Sequence, residues 1–297
     1  MKKCMLKMPQ AIVVVFLIVL AGLFALPILA TITNSFMTGF EIQNRYSSSI
    51  SPANYFYTLE DFPQFHFVRM TLVPMRATLT QYLNLFRDTA YLNSLWNSIL
   101  ITAPSVLGQL VVCAPAAYAF EFSRNRFKEY MFFVYVVVML MPLPVVIVPQ
   151  FIIAGRMGIS ESILAIILPA IFAPFGVFLL RQFMKTIPTE VLEAAKIDGA
   201  REFRIVISIV VPLMKPAIAA LALLVFVDYW NVVDQAIVFI TEAERQPLSV
   251  FLSNPRIRDN FDMVFAASVF YMLPALLMFL HGQEYLIEGL KMSGLRG

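Results

Sequence analysis

The residues best equipped for chemistry fall within one short stretch: Asp228, Tyr229, Trp230, Asn231, Asp234 and Gln235. They interrupt a run, 217–240, that is otherwise apolar. On a continuous helix, offsets of three and four put Asp228, Asn231 and Gln235 on one stripe, with Trp230 and Asp234 on the adjacent one. An ionised carboxylate at bilayer depth costs at least about 2.5 kcal/mol, so such side chains face a bundle interior or an aqueous cavity. Two chemistries fit the set. Aromatic rings and hydrogen-bonding side chains form a face for a sugar, or the two carboxylates work as acid and base on a lipid-linked sugar. Hydrogen bonding between helices or subunits would use the same residues. Elsewhere catalytic patterns are missing: His66 and His281 belong to no spaced metal set or triad, and Cys4 and Cys113 make no disulfide framework. No GxxxxGK[ST] phosphate loop occurs, which leaves any nucleotide to another chain.

A second polar island, Thr186 to Pro216, separates two long apolar runs. Its first half reads as a short helix, with Thr189 capping the free amides and Glu190 and Glu193 in the first turns, where the helix dipole favours acid. Gly199 ends it, because glycine takes the left-handed conformation that closes a helix, and a second helix starts at about Ala200. The result is an elbow. Ala194 and Ala195 leave room for another surface, and Glu193, Lys196, Asp198, Arg201 and Arg204 surround that dent. A solvated connecting loop is the plain alternative.

The elements that must hold these residues are membrane spans. The 297-residue chain is 60% hydrophobic and 14% charged, with a mean hydropathy of +0.77, which excludes an ordinary soluble domain. A net charge of +3 gives no reason to expect nucleic acid as a partner. The uncharged run 11–32 is too long for a signal-peptide core of about 7 to 15 residues and is read as a retained first span. Five more follow: Leu95 to Phe120, Met131 to Gly155, Ser162 to Leu180, about Ala217 to Ile240, and Met263 to Leu280. The mixed segment 33–92, with Tyr46, Tyr55, Phe56, Tyr57, Phe62, Phe65 and Phe67, reads as a loop whose aromatics pack a minor core or meet a ligand. Prolines at 142, 144, 149, 169, 174, 212 and 216 predict kinked spans.

Lys and Arg mark the cytoplasmic side. Lys2, Lys3 and Lys7, then Arg124, Arg126 and Lys128, then Arg181 through Lys215, and finally Lys291 and Arg296 fall on one face. The opposite connections, Arg156 to Glu161 and Thr241 to Asp262, are nearly neutral or balanced. Both termini and the elbow are therefore expected inside the cell.

Glu193-Ala194-Ala195, three residues, Gly199, nine residues, Ile209 and then Pro212 resembles the EAA loop of bacterial ABC importer membrane subunits. In that family the loop forms the coupling helix that docks into a groove of the ATPase. The flanks resemble carbohydrate-importer permeases of the maltose-transporter type: Asn93 to Ser98, Ala116 to Phe120, Pro174 to Phe183, Trp230-Asn231, Gln246-Pro247-Leu248 and Gln283 to Leu290. Val211 replaces the usual leucine of the loop, and Val-Val-Asp-Gln after Asn231 replaces an aromatic run.

The resemblance implies an all-α membrane protein with six transmembrane helices and a cytoplasmic coupling helix, the type I ABC importer permease fold. Its parts would be a cytoplasmic tail (1–10), a first transmembrane helix (11–32), an extracytoplasmic loop (33–92), a five-helix core (93–282) containing the coupling loop (186–216), and a cytoplasmic tail (283–297). The implied function is uptake of a mono- or oligosaccharide through the bacterial inner membrane. The implied partners are a second, homologous permease as a heterodimer, two ATP-binding subunits, an extracytoplasmic solute-binding protein and the lipid bilayer. This chain would bind no cofactor, with ATP and Mg held by the partner ATPase. Glu193, Ala194, Ala195, Asp198, Gly199 and Ala200 would carry coupling, and Asp228, Trp230, Asn231, Asp234 and Gln235 would line the pathway. The same architecture could serve a polyamine, amino acid, phosphate or glycerol phosphate. A membrane enzyme using Asp228 and Asp234 is the reading from another class.

Overall fold

The computed structural model describes residues 7–42, 73–253 and 261–294. The loop aromatics from Tyr46 to Phe67, His66, Cys4, and the charges of Lys2, Lys3, Arg256, Arg258, Asp259 and Arg296 lie outside the described residues.

Regular structure among the described residues is helical. Four stretches are long and apolar enough to cross a bilayer unaided: Ile12–Asn34, Thr89–Phe122, Leu164–Met184 and Met263–Tyr285. Two bent pairs supply the others, Lys128–Met139 with Leu143–Met157 at 103°, and Glu202–Leu213 with Lys215–Trp230 at 82°. Four of the expected spans are thus single helices, and the count reaches six when each bent pair is one span; the second pair starts at Glu202 rather than at the expected Ala217 and its helix ends at Trp230, short of the expected Ile240.

The chain divides into two compact units. The first contains α1 (Lys7–Asn34), α2 (Thr80–Leu85) and the start of the last helix. Here the flanks of the long loop form a small core: Tyr82 meets Phe36 at 5.7 Å and Phe270 at 5.8 Å, and its hydroxyl lies 2.6 Å from Ser35 Oγ.

The second unit is built on α3 (Thr89–Phe122), 34 residues without a break. Next come α4 (Lys128–Met139), α5 (Leu143–Met157), α6 (Leu164–Ile171) and α7 (Pro174–Met184). α8 (Thr189–Ile197) lies in the polar island, and α9 opens at Glu202–Ile205 and continues through Val206–Val210 and Val211–Leu213. α10 (Lys215–Trp230), α11 (Asp234–Phe239) and α12 (Leu248–Ser253) follow, and α13 (Phe261–Gly294) carries the helix through the expected 283–297 tail as far as Gly294.

Both sharp bends sit at expected prolines, whereas Pro149 and Pro169 lie inside α5 and α6 with no such bend. Pro142, in extended geometry, caps α5, with Pro144 just behind it, and Pro216 lies at the start of α10. Each ring removes an N–H and disfavours helix at the residue before it. The five π-type residues Val206–Val210 widen the helix just before Pro212, whose ring would otherwise meet a carbonyl one turn back.

One face of α3 carries Ser94, Ser98, Thr102, Ser105 and Gln109, all buried, at helical spacing. Small groups there admit close neighbours. Gly108 accommodates Ile171, and a Cβ on Gly176 would stand 2.7 Å from Cys113 Sγ and 2.8 Å from Gln109 Nε2. Around this contact Ile101, Ile166, Leu180, Ile205 and Leu221 are wholly buried in one apolar core.

Candidate functional site

α8 begins one residue earlier than its composition implies. Pro188 takes the capping position (φ −61°, ψ 130°), a geometry proline's ring already prefers, so Thr189 is the first helical residue and caps nothing. Glu190 stands in the first turn. At the other end Gly199 adopts φ +78°, and its N–H reaches Lys196 O at 3.1 Å while Ala200 N–H reaches Ala195 O at 3.0 Å. That double closure is a left-handed helix stop. Nothing lies within 4 Å of a Cβ placed on Gly199, so conformation alone calls for glycine. Arg201, extended, then starts α9 at Glu202, two residues beyond the expected Ala200.

Leu192 and Ala195 face the core, whereas Glu193, Ala194 and Asp198 face out and Ala200 is half-buried. Of the two alanines expected to border the dent, only Ala194 is at the surface. Two residues that the sequence reading passed over are the most exposed apolar groups of the elbow, Ile197 at 87% and Phe203 at 72%. Their signal was present, an apolar residue inside a polar island on either side of the glycine.

The expected helical stripe through Asp228, Asn231 and Gln235 does not form. α10 ends at Trp230, Asn231 turns out of the helix, and Val233 (φ −121°, ψ −57°) precedes a new helix at Asp234. Asn231 Nδ2 donates to Val227 O at 2.7 Å, and the β-branched Val232 and Val233 follow, both weak helix formers. The break nevertheless gathers the polar groups: Asp228, Asn231, Asp234 and Gln235 line one cavity of about 300 Å³ with Tyr229 and Leu143. Among the described residues no basic side chain lines it. Irregular backbone at membrane depth is tolerated where it borders such a cavity. Trp230 is elsewhere, buried and stacked on Phe226 at 5.5 Å, so the flat surface expected for a ring comes from Tyr229 alone. A larger cavity of about 1040 Å³ between α4, α5 and α6 is lined almost wholly by apolar groups such as Val134, Ile153 and Leu168 and offers a polyol little to bond.

The motif stretches meet in space. Asn97 Nδ2 donates to Glu244 O at 2.8 Å and to Gln246 O at 3.3 Å, and Leu248 N–H donates to Ser98 Oγ at 2.8 Å. At the other end of α3, buried Arg181 reaches Glu121 at 3.0 Å and Glu129 at 2.6 Å and covers the Phe132 ring at 3.9 Å. Lys196 pairs with Glu202 at 2.8 Å, and Glu202 also accepts from the Tyr118 hydroxyl. Arg181, read in the sequence as a positive charge within the stretch Pro174 to Phe183, joins α7 to α3 and α4.

Comparison with known proteins places this geometry. Residues 111–283 match the family model described as binding-protein-dependent transport system inner membrane component. The arabinooligosaccharides transport system permease AraQ of Halalkalibacterium halodurans is 32% identical over 232 residues, 75% of this chain and 81% of that one. The lactose transport system permease LacG of Rhizobium radiobacter is 29% identical over 66% of this chain and 72% of its own. A bacterial ABC transporter involved in the import of the acidic polysaccharide alginate contains a chain with the same fold, TM-score 0.76 and 22% identity, covering 94% of this chain and 96% of that one. The chain belongs to the binding-protein-dependent transport system inner membrane components: it is the permease part of an ABC importer, with an all-α fold of the type I class.

Proposed function

We propose that this permease imports a neutral mono- or oligosaccharide, moving it past the cavity at Asp228, Asn231, Asp234 and Gln235. The relatives named for arabinooligosaccharides and lactose support a carbohydrate, and the cavity offers carboxylates, amides and one aromatic ring, the groups that bond hydroxyls and cover a sugar face. The elbow carries coupling. Glu193, Ala194, Asp198 and Gly199 with Ile197 form the surface on which an ATP-binding subunit docks, and Ala195 and Ala200 seat that surface on the core. In this reading the assembly is a heterodimer of homologous permeases with two ATP-binding subunits and an extracytoplasmic solute-binding protein. ATP and Mg belong to the ATPase, this chain performs no reaction of its own, and both termini and the elbow are cytoplasmic, with 33–92 outside.

The observation that carries the proposal is the glycine-closed elbow holding Ile197 away from its own chain. The experiment is affinity purification of the tagged chain from its native membrane, followed by uptake assays in proteoliposomes with the copurified binding protein. The expected result is recovery of an ATPase and a second permease, with ATP-dependent import of arabinotriose or lactose. A chain that purifies alone, or a complex that imports spermidine and ignores saccharides, overturns it.

A further inference from the structure

We propose that Glu202 is a positioning residue that locks the elbow to the end of α3, making α3 the strut that carries elbow movement to the 242–248 loop at its other end. The proposal rests on the reading of the elbow as the ATPase-coupled element.

Glu202 stands on the second limb of the elbow and uses both carboxylate oxygens. One takes Lys196 Nζ, on the first limb, at 2.8 Å, and the other accepts the Tyr118 hydroxyl from α3. A single side chain therefore ties both limbs of the bend to the long helix. Three residues along α3, Glu121 receives Arg181 of α7, the helix that leads into the elbow. The elbow is thus held to about one turn of α3, Tyr118 to Glu121, from the chain on both sides of it. An ion pair between groups as exposed as Lys196 (45%) and Glu202 (63%) adds little stability. What it fixes is the relation of the limbs.

The opposite end of α3 is fastened as firmly. Asn97 and Ser98 hold Glu244, Gln246 and Leu248 by three hydrogen bonds, and the same loop is tied to Glu161 through Thr241 and Arg245. Ser98 and Tyr118 are twenty residues apart on an unbroken helix, about 30 Å, which matches the hydrocarbon thickness of a bilayer. Between these anchors the buried face of α3 carries Ser98, Ile101, Thr102, Ser105, Gln109 and Cys113, packed closely enough against Ile171 and Gly176 that α3 and its neighbours move together. Held at both ends and helical throughout, α3 is built to transmit displacement along its length.

Tyr118→Phe removes one hydroxyl and leaves the ring against Phe122 at 5.2 Å. In the complex copurified with the tagged chain, the variant is expected to retain its ATPase subunits and basal hydrolysis within twofold. Stimulation of hydrolysis by the copurified binding protein carrying its solute is expected to fall at least fivefold. Lys196→Ala should give a similar fall, and the double variant Tyr118→Phe with Lys196→Ala little more than either, since both act through Glu202. Tyr118→Phe stimulated as well as the parent overturns the strut. So does a fall in stimulation, basal hydrolysis and yield in equal proportion, which marks a packing role. A parent complex that contains no ATPase sinks the coupling reading beneath it, whereas a normally stimulated parent beside an unaffected variant sinks the strut alone.

Discussion

Arg181 is held by two carboxylates and an aromatic face although almost none of it reaches solvent. Removing it leaves Glu121 without its partner at a site only one-fifth exposed, while Glu129, well exposed, is rehydrated. The expected cost of Arg181→Ala is about 2 kcal/mol, nearer a hydrogen bond to charge than a fully buried pair. The midpoint of thermal unfolding in detergent should drop accordingly, with Arg181→Lys dropping less, and an unmoved midpoint in the alanine variant would refute the assignment. Gly176→Ala tests the close approach of α3 and α7 by the same measurement. The new methyl would meet Cys113 Sγ and Gln109 Nε2 inside contact distance, and overpacking of this kind costs about 1–3 kcal/mol. Gly22→Ala, inside α1 with open space at its Cβ, should not lower the midpoint and serves as the control. Neither feature was legible in the sequence. The carboxylates that hold Arg181 lie 60 and 52 positions away, and the space that Gly176 preserves belongs to another helix.

Helices and their breaks were legible in proportion to how local their causes are. Proline acts on its own backbone and its neighbour's, so the bends near Pro142 and Pro212 followed from the chain alone. Gly199 declared the end of α8 for the same reason. The interruption at Asn231 did not show, because a periodic stripe presupposes the unbroken helix it was used to describe. Its cause, an amide side chain bonding the carbonyl of Val227 ahead of two valines, becomes visible only with the side chain placed. The outward face of α8 was half legible: the glycine spacing located the elbow, but the structure turns Ala195 inward and adds the exposed Ile197. Ile197→Asp measures that correction. The side chain is 87% exposed and barely touches its own chain, so unfolding should be unaffected. An apolar anchor at an interface is worth about 2 kcal/mol or more, hence ATPase retention on the affinity resin should fall at least tenfold. Full retention of the ATPase would remove Ile197 from the docking surface.

Across the whole molecule, the elbow can meet an ATP-consuming partner only if its side of the membrane is the cytoplasmic one. The basis for that orientation is electrostatic: Arg124, Arg126, Lys128, Lys185, Arg201 and Arg204 gather in connections on one side, while Arg156, Arg245, Arg256 and Arg258 nearly cancel Glu161, Glu242, Glu244, Asp259 and Asp262 on the other. Two exposed positions report on the two sides, Lys185 just ahead of α8 and Ala243 in the short turn before α12. Each can be replaced by cysteine in a chain carrying Cys4→Ser. Cys113 can stay, since it is wholly buried against α7 and out of reach of a reagent in water. A membrane-impermeant maleimide added to intact spheroplasts should label Ala243→Cys fully and Lys185→Cys only after the membrane is opened, and inverted vesicles should exchange the two. The reverse pattern would set the elbow outside the cell, away from nucleotide. The family fold would survive that result, but the coupling surface at Ile197 and the strut along α3 would both lose their driving partner.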